Sequence, residues 1–482
     1  MEIVFIFAQP VRIRAGSAYI YFSNFNANIY SLTSYPPPFM SSQIDSRKAI
    51  ISWSLYDWAN SAFATTIMAG FFPIFFKEYW SAGADPVTTT ARLGMAHSLA
   101  GITVALMAPI LGSIADQGSV KKKFLSFFAF MGVVMTCSLY MVHQGNWQLA
   151  IFTYVMAAIG FTGGNIFYDS LITAVASPKS MHRVSAMGFS LGYLGGGLLF
   201  AFNVWTSLSP ETFGFASPAD AVRFSFLSVG VWWALFSIPI LLFVKEPRSE
   251  GSFKPGLTFV KLGFKQFLDT FSEIRKLKGI FLFLAAYWLY IDGVDTIVVM
   301  AVNYGQSIGF ETSDLITALL MVQFIGVPAA IGFGYLGNRI GARNAIFIAI
   351  GVYLFISIWG AFMKEKHEFY ILAGTIGLVQ GGIQALSRSF FARIIPVDKS
   401  AEFFGFYNMV GKFAAVIGPV LIGITGVAVK SLGYSADTAS RVGITSISLL
   451  FIAGGVLFYF VNEEKARTEA QDRYAAKSDE NG

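Results

Sequence analysis

The sequence predicts an all-α integral membrane protein in which twelve transmembrane helices form two six-helix pseudo-repeats. Three observations predict it. Of 482 residues, 55% are apolar and only 13% charged, about half the charged share of a soluble domain. Twelve separate runs each reach the roughly 20 apolar residues that a helix needs to cross a hydrocarbon core. A basic stretch at 245–278 divides the runs six and six.

In chain order the expected spans are 50–76, 93–115, 124–142, 148–176, 184–207 and 222–244, then 279–304, 313–337, 344–363, 369–393, 403–429 and 440–461. The organisation is therefore an N-terminal extension (1–48), a first bundle (49–244), a linker (245–278), a second bundle (279–462) and a tail (463–482). Glu2, the short apolar run 3–8 and the following Arg12 and Arg14 do not fit a secretory signal. With Pro36-Pro37-Pro38 just ahead of Met40, the extension reads either as upstream of the true start at Met40 or as a disordered cytoplasmic tail.

Lys and Arg stay on the cytoplasmic side during insertion. If the first span starts inside, 24 of the 34 basic residues fall in inner segments and 7 in outer ones, so both termini are expected in the cytoplasm. The net charge of +6 thus follows from topology and does not call for a nucleic-acid partner. The linker interleaves Val260, Phe264, Phe267, Phe271 and Ile274 with Lys261, Lys265, Arg275, Lys276 and Lys278, an amphipathic pattern suited to the inner membrane interface.

Duplication leaves three traces. The second span runs into Gly112-Ser113-Ile114-Ala115-Asp116-Gln117-Gly118, and the eighth into Gly334-Tyr335-Leu336-Gly337-Asn338-Arg339-Ile340-Gly341-Ala342-Arg343. The first span holds Asp57, Asn60 and Ser61 where the seventh holds Asp292, Asp295 and Thr296. The fifth begins Gly188-Phe189 and the eleventh Gly405-Phe406, which sets Gly195 opposite Lys412.

With these turns the chain resembles the major facilitator superfamily, whose signature after the second helix is Gly-x-x-x-Asp-Arg-x-Gly-[Arg/Lys]-[Arg/Lys]. The second copy departs at Asn338; the first departs at Gln117 and by placing Gly118 one position early. Within that superfamily, the runs Leu55–Phe63, Gly381–Arg393 and Glu402–Lys412 resemble the vacuole-effluxer-like family, over about residues 48–462. The resemblance implies the major facilitator fold, a small-molecule substrate and, from the family's amino-acid exporter and many bacterial members, an amino acid as substrate and the bacterial cytoplasmic (inner) membrane as location. It also implies that the contact made by the turn after the second helix closes the inner side.

A charge held in hydrocarbon needs a partner, a wet cavity or a role. Asp57, Asp292 and Asp295 are the expected proton carriers in a central cavity, with Asp169 and Asn165 near its inner end. Lys412 either binds a substrate carboxylate or pairs permanently with one of these acids. Asn60, Ser61, Asn165, Thr296, Gln380 and Gln384 are the expected hydrogen-bonding groups, and Trp53, Tyr56, Trp58 and Trp288 the candidate walls. At the inner side the expected gate comprises Gly112, Asp116, Gly118, Gly334, Asn338, Arg339, Gly341 and Arg343, with Arg388, Arg393 and Glu402 forming a related cluster. Asp116 and Asn338 would accept backbone N–H groups at a helix start in the other half.

The expected function is secondary transport of a small polar solute by a monomer in the lipid bilayer, with protons as a second partner. The alternatives are a non-transporting receptor or scaffold on the same fold, and a carrier of another solute such as a drug or metabolite. No enzyme, metal or cofactor is expected. Cys137 is the only cysteine; His97, His143, His182 and His367 are scattered; and no Gly-x-x-x-x-Gly-Lys-[Ser/Thr] run supports ATP-driven pumping.

Overall fold

The computed structural model describes residues 43–246, 268–307, 311–363, 365–413 and 417–480. The N-terminal extension before Gln43 and linker positions 260–267 lie outside these residues. From Gln43 onward the described chain forms one unit.

Twelve of its helices are long and apolar enough to cross a membrane: α1 (Arg47–Trp80), α2 (Arg92–Asp116), α3 (Lys121–Met141), α4 (Trp147–Val175), α5 (Met181–Leu208), α6 (Pro218–Phe243), α7 (Lys278–Val298), α8 (Ser313–Ile340), α9 (Ala342–Phe362), α10 (Lys366–Ile394), α11 (Val397–Ser431) and α12 (Arg441–Tyr459). Each corresponds to one expected span. A tail helix, α13 (Glu463–Glu480), follows. Lipid offers no partner for backbone N–H and C=O groups, so each span satisfies its own. Large apolar side chains such as Leu106, Phe130, Phe362 and Val427 point outward, as a lipid-facing surface requires.

The six spans before the linker pack on one another, and so do the six after it. The halves meet along two seams, α2 against α11 and α5 against α8. A shift of six spans exchanges the two seams, which is the arrangement a duplicated bundle produces. We call the membrane face that carries the linker the linker face. On α11, the segment Ser400–Phe413 nearest that face packs along α2, whereas Ile417–Ser431 packs chiefly on its own half. The halves are therefore joined at the linker face.

Local features place the interior side chains. The helix of α1 widens into π-helical turns over Phe63–Phe71, a geometry common at functional sites. Helix α5 crosses α1 on small residues: a methyl group added at Gly188, Gly192 or Gly196 would lie 2.6, 2.6 or 2.8 Å from Asp57 Oδ2, Ser61 Oγ or Thr65 Oγ1. Only glycine permits that approach. Residues 268–276 of the linker are helical; Ile274 is buried, and the Thr270 hydroxyl donates to the buried carboxylate of Glu402 on α11.

Candidate functional site

At the linker face the seam is closed by backbone capping across the halves. The Asp116 carboxylate, at the end of α2, accepts the N–H groups of Ala401 (3.2 Å) and Glu402 (2.7 Å), which open the helical segment of α11. Those donors have no partner inside their own helix. Lys121 lies 2.6 Å from Asp116 and donates to Ser400 Oγ at 2.8 Å. Gly112 lets the two backbones touch, since a methyl group there would sit 2.2 Å from the Ala401 carbonyl oxygen.

The duplicated turn does not repeat this bond. Gly334 does face α5, with a methyl group 2.5 Å from Ala186 Cβ, but Asn338 and Arg339 are exposed to solvent. Among the described residues Asn338 accepts no backbone N–H of the other half, so the expected symmetric cap is absent there. Gly341 adopts φ +87° and ends α8, and the Arg343 guanidinium donates to the Tyr459 carbonyl at the end of α12. The helix that contains α2 runs on to Gly118 and ends at Ser119, a left-handed residue with φ 49°.

Above the seam lies a cavity of about 360 Å³, lined from both halves. Its end nearest the linker face holds an ionic cluster. Arg388 of α10 donates to Asp57 of α1 (3.2 Å), Asp169 of α4 (3.1 Å) and the Ser185 hydroxyl of α5 (3.0 Å), while Tyr168 donates to Asp57 at 2.6 Å. Asn408 of α11 completes the set by donating to Asp169 at 3.3 Å. Burying three charges is costly unless they are mutually bonded, and this cluster bonds them across the two halves. Arg388 therefore does not belong to the basic turn to which the sequence assigned it. It lies two helical turns inside the end of α10, and its partners come from the other half.

Deeper in, the two acids of α7 separate. They are three residues apart, and 3.6 residues per turn leaves about 60° between them. Asp292 is fully buried and accepts the N–H groups of Ile417 (2.9 Å) and Gly418 (2.8 Å), with the Thr296 hydroxyl at 3.1 Å. It caps the helical segment Ile417–Ser431 of α11, farther from the linker face. Neither Asp292 nor Thr296 lines the cavity, which corrects their expected place in a wet site. Asp295 does line it, together with Lys412. Among the described residues, Asp295 and Lys412 form no ion pair within 4.0 Å and no hydrogen bond, so the permanent pair is not present.

Asn60, Ser61, Asn165, Gln380 and Gln384 line the same cavity, and Asn60 donates to Asn165 at 2.6 Å. The expected tryptophan walls lie elsewhere. Trp53 is buried behind the ionic cluster, stacked on Tyr168 at 4.5 Å; Trp58 stacks on Trp232; and Trp288 faces outward. Tyr56 is buried outside the cavity lining. The aromatic lining instead includes Tyr168, Tyr193, Tyr287 and Tyr407, the last two stacked at 4.2 Å. A signal for it existed. Tyr287, Ile291 and Asp295, like Gln380, Gln384 and Arg388, recur every four residues, which marks one helical face.

Arg393 and Glu402 lie apart from Arg388. Arg393 pairs with Glu463 of α13 at 3.0 Å and lies 2.6 Å from His182 Nε2 on α5. Burial pushes the Glu463 carboxyl above the ordinary range, against the opposing pull of Arg393.

The chain is similar to known proteins in sequence and in fold. The family model for vacuole effluxer Atg22-like proteins matches residues 45–471. The uncharacterized MFS-type transporter YxiO of Bacillus subtilis (strain 168) is 37% identical over 425 residues, covering 88% of this chain and 96% of its own length. Autophagy-related protein 22 of Eremothecium gossypii is 21% identical over 485 residues, with 88% and 92% covered. Among solved structures, the human organic anion transporter MFSD10 superposes with a TM-score of 0.63 at 14% identity, over 86% of this chain and 99% of its own. The proton:xylose symporter XylE gives 0.61 at 13%, over 87% and 96%. At these identities the structural likeness speaks for the fold, and YxiO, MFSD10 and XylE are transporters rather than enzymes.

Proposed function

The chain belongs to the vacuole effluxer Atg22-like family and is a multi-pass membrane transporter of the major facilitator type; from that premise we propose that it moves a zwitterionic amino acid by alternating access. One observation carries the proposal: Asp295 and Lys412, opposite in charge, line one cavity without bonding each other. An amino acid brings an ammonium and a carboxylate that satisfy both. The side chains of Gln323, Gln380, Gln384 and Asn408 supply further hydrogen bonds, and the tyrosines supply apolar contact.

We place the linker face in the cytoplasm, because the basic residues concentrate there. The described arrangement is then the one closed to the inside. Opening that side requires Asp116 to release the α11 N–H groups and Arg388 to leave Asp57 and Asp169, since each bond joins one half to the other. Proton coupling falls to Asp295. Of the three expected carriers, Asp57 is bonded to Arg388 and Tyr168, and Asp292 to backbone amides, which leaves Asp295 available to bind and release a proton with the solute.

Proteoliposome uptake and efflux against a panel of amino acids, with and without an imposed pH gradient, tests the reading. Saturable flux of a zwitterionic member is expected, faster with the gradient and insensitive to it in Asp295→Asn. Flux of sugars or organic anions without amino-acid flux overturns the substrate; gradient dependence that survives Asp295→Asn overturns the proton site.

A further inference from the structure

A second cavity, of about 390 Å³, lies away from the transport site, where the α4–α5 turn meets the linker-face ends of α1 and α5. Its wall has two chemistries. Ile50, Val184 and Met187 give an apolar side that extends to Met187, roughly 10 Å into the span past the start of α5. Lys179, Arg183, Ser177 and Ser180 give a polar rim at the depth where lipid headgroups sit.

The rim carries free positive charge. Among the described residues Lys179 and Arg183 have no ion pair and no hydrogen bond, and both are exposed. The pocket's acid, Asp45, is engaged already: Ser177 N–H donates to it at 3.1 Å, and the Ser180 hydroxyl donates to the same oxygen. Hydrogen bonds from Ser180 and Ser177 hold that carboxyl below its usual range despite some burial, so it stays occupied as an anion. The approach to α1 is fixed as well. The Gln43 side chain donates to the carbonyls of Ala174 (3.0 Å) and Lys245 (2.9 Å) and accepts the Lys245 N–H at 2.6 Å. Bonds within the wall, from Ser177 and Ser180 to Asp45, and beside it, at Gln43, fix the cavity's shape.

We propose that this cavity binds the headgroup of an anionic glycerophospholipid, with the phosphate on Lys179 and Arg183 and the first part of an acyl chain along Ile50, Val184 and Met187. Two unpartnered cations call for an anion. The apolar wall of Ile50, Val184 and Met187, on a helix whose next residue, Ile51, is exposed, calls for an anion that carries a hydrocarbon chain. A guanidinium and an ammonium together suit a phosphate, one as a fork and the other as a point charge.

The test is native mass spectrometry of the full chain released from micelles containing phosphatidylglycerol or phosphatidylcholine of matched chains. Preferential retention of phosphatidylglycerol is expected, falling roughly thirtyfold in Lys179→Ala/Arg183→Ala, as two lost basic contacts at a headgroup predict. Met187→Trp, which fills the apolar wall and keeps both charges, should weaken retention too. Soluble glycerol phosphate should not compete. Equal retention of the two lipids, retention unchanged in the double variant while the protein remains folded by circular dichroism, or full competition by glycerol phosphate each overturns the proposal.

Discussion

Replacing Asp116 by alanine should release the linker-face closure. The carboxylate holds two backbone N–H groups of α11 at 3.2 and 2.7 Å and the Lys121 ammonium at 2.6 Å, with both side chains of the ion pair only 5% exposed. Removing one member of a buried ion pair costs about 3–5 kcal/mol, and each stranded N–H adds on the order of 1 kcal/mol. Lys121 keeps its bond to Ser400 Oγ, so the lower end of that range applies. When the seam parts, water reaches the stranded groups, so the penalty falls on the closed arrangement alone. With the two N–H groups the total is about 5 kcal/mol, which shifts the closed-to-open ratio by more than a thousandfold. Spin labels at exposed Lys123 and Val397, in a Cys137→Ser background, read the separation of the halves at this face by pulsed electron resonance. The unsubstituted protein should give one short distance and Asp116→Ala a second, longer population, with Asp116→Asn in between because the amide keeps one acceptor. An unchanged distribution in a folded Asp116→Ala protein would mean that this carboxylate does not hold the linker face closed.

Three other outcomes follow from named contacts. Asp292→Ala strands the N–H groups of Ile417 and Gly418, so melting by intrinsic fluorescence should show a loss of about 2 kcal/mol, with Asp292→Asn milder; equal stability of Asp292→Ala and the unsubstituted protein would contradict the capping role. Gly112→Ala places a methyl group against the Ala401 carbonyl, and the same label pair should report a wider linker face without loss of fold. Arg388→Gln leaves Asp57 and Asp169 without their cation; flux should fall at least tenfold, and Asp169→Asn in that background should restore part of it by removing one of the stranded charges.

Much of this was legible in the sequence because a bilayer imposes length and polarity on each helix independently. Runs of apolar residues marked all twelve spans, and Asp116 in the Gly112–Gly118 turn marked a contact with a helix start of the other half. The departures have a common physical source: they depend on contacts between distant parts of the chain. Asp292 and Asp295 share a helical face in sequence, and only the position of Ile417 and Gly418 makes one a cap and leaves the other in the cavity. Arg388 sits beside Arg393 in a basic stretch, and its carboxylates lie 331 and 219 positions away. Asn338 occupies the place of Asp116 in the repeat, but the repeat has diverged and its amide faces solvent. The tryptophans were misplaced because aromatic residues serve packing and lipid contact as readily as a binding site.

Matched calorimetry decides whether Lys412 and Asp295 take the two ends of one amino acid. The transported amino acid, its methyl ester and its deaminated analogue are titrated into the unsubstituted protein, Lys412→Gln and Asp295→Asn. The ester should lose affinity in the unsubstituted protein and lose none further in Lys412→Gln, while the deaminated analogue behaves likewise with Asp295→Asn. Additive losses, with the ester weakened equally in both backgrounds, would place the carboxylate elsewhere than on Lys412.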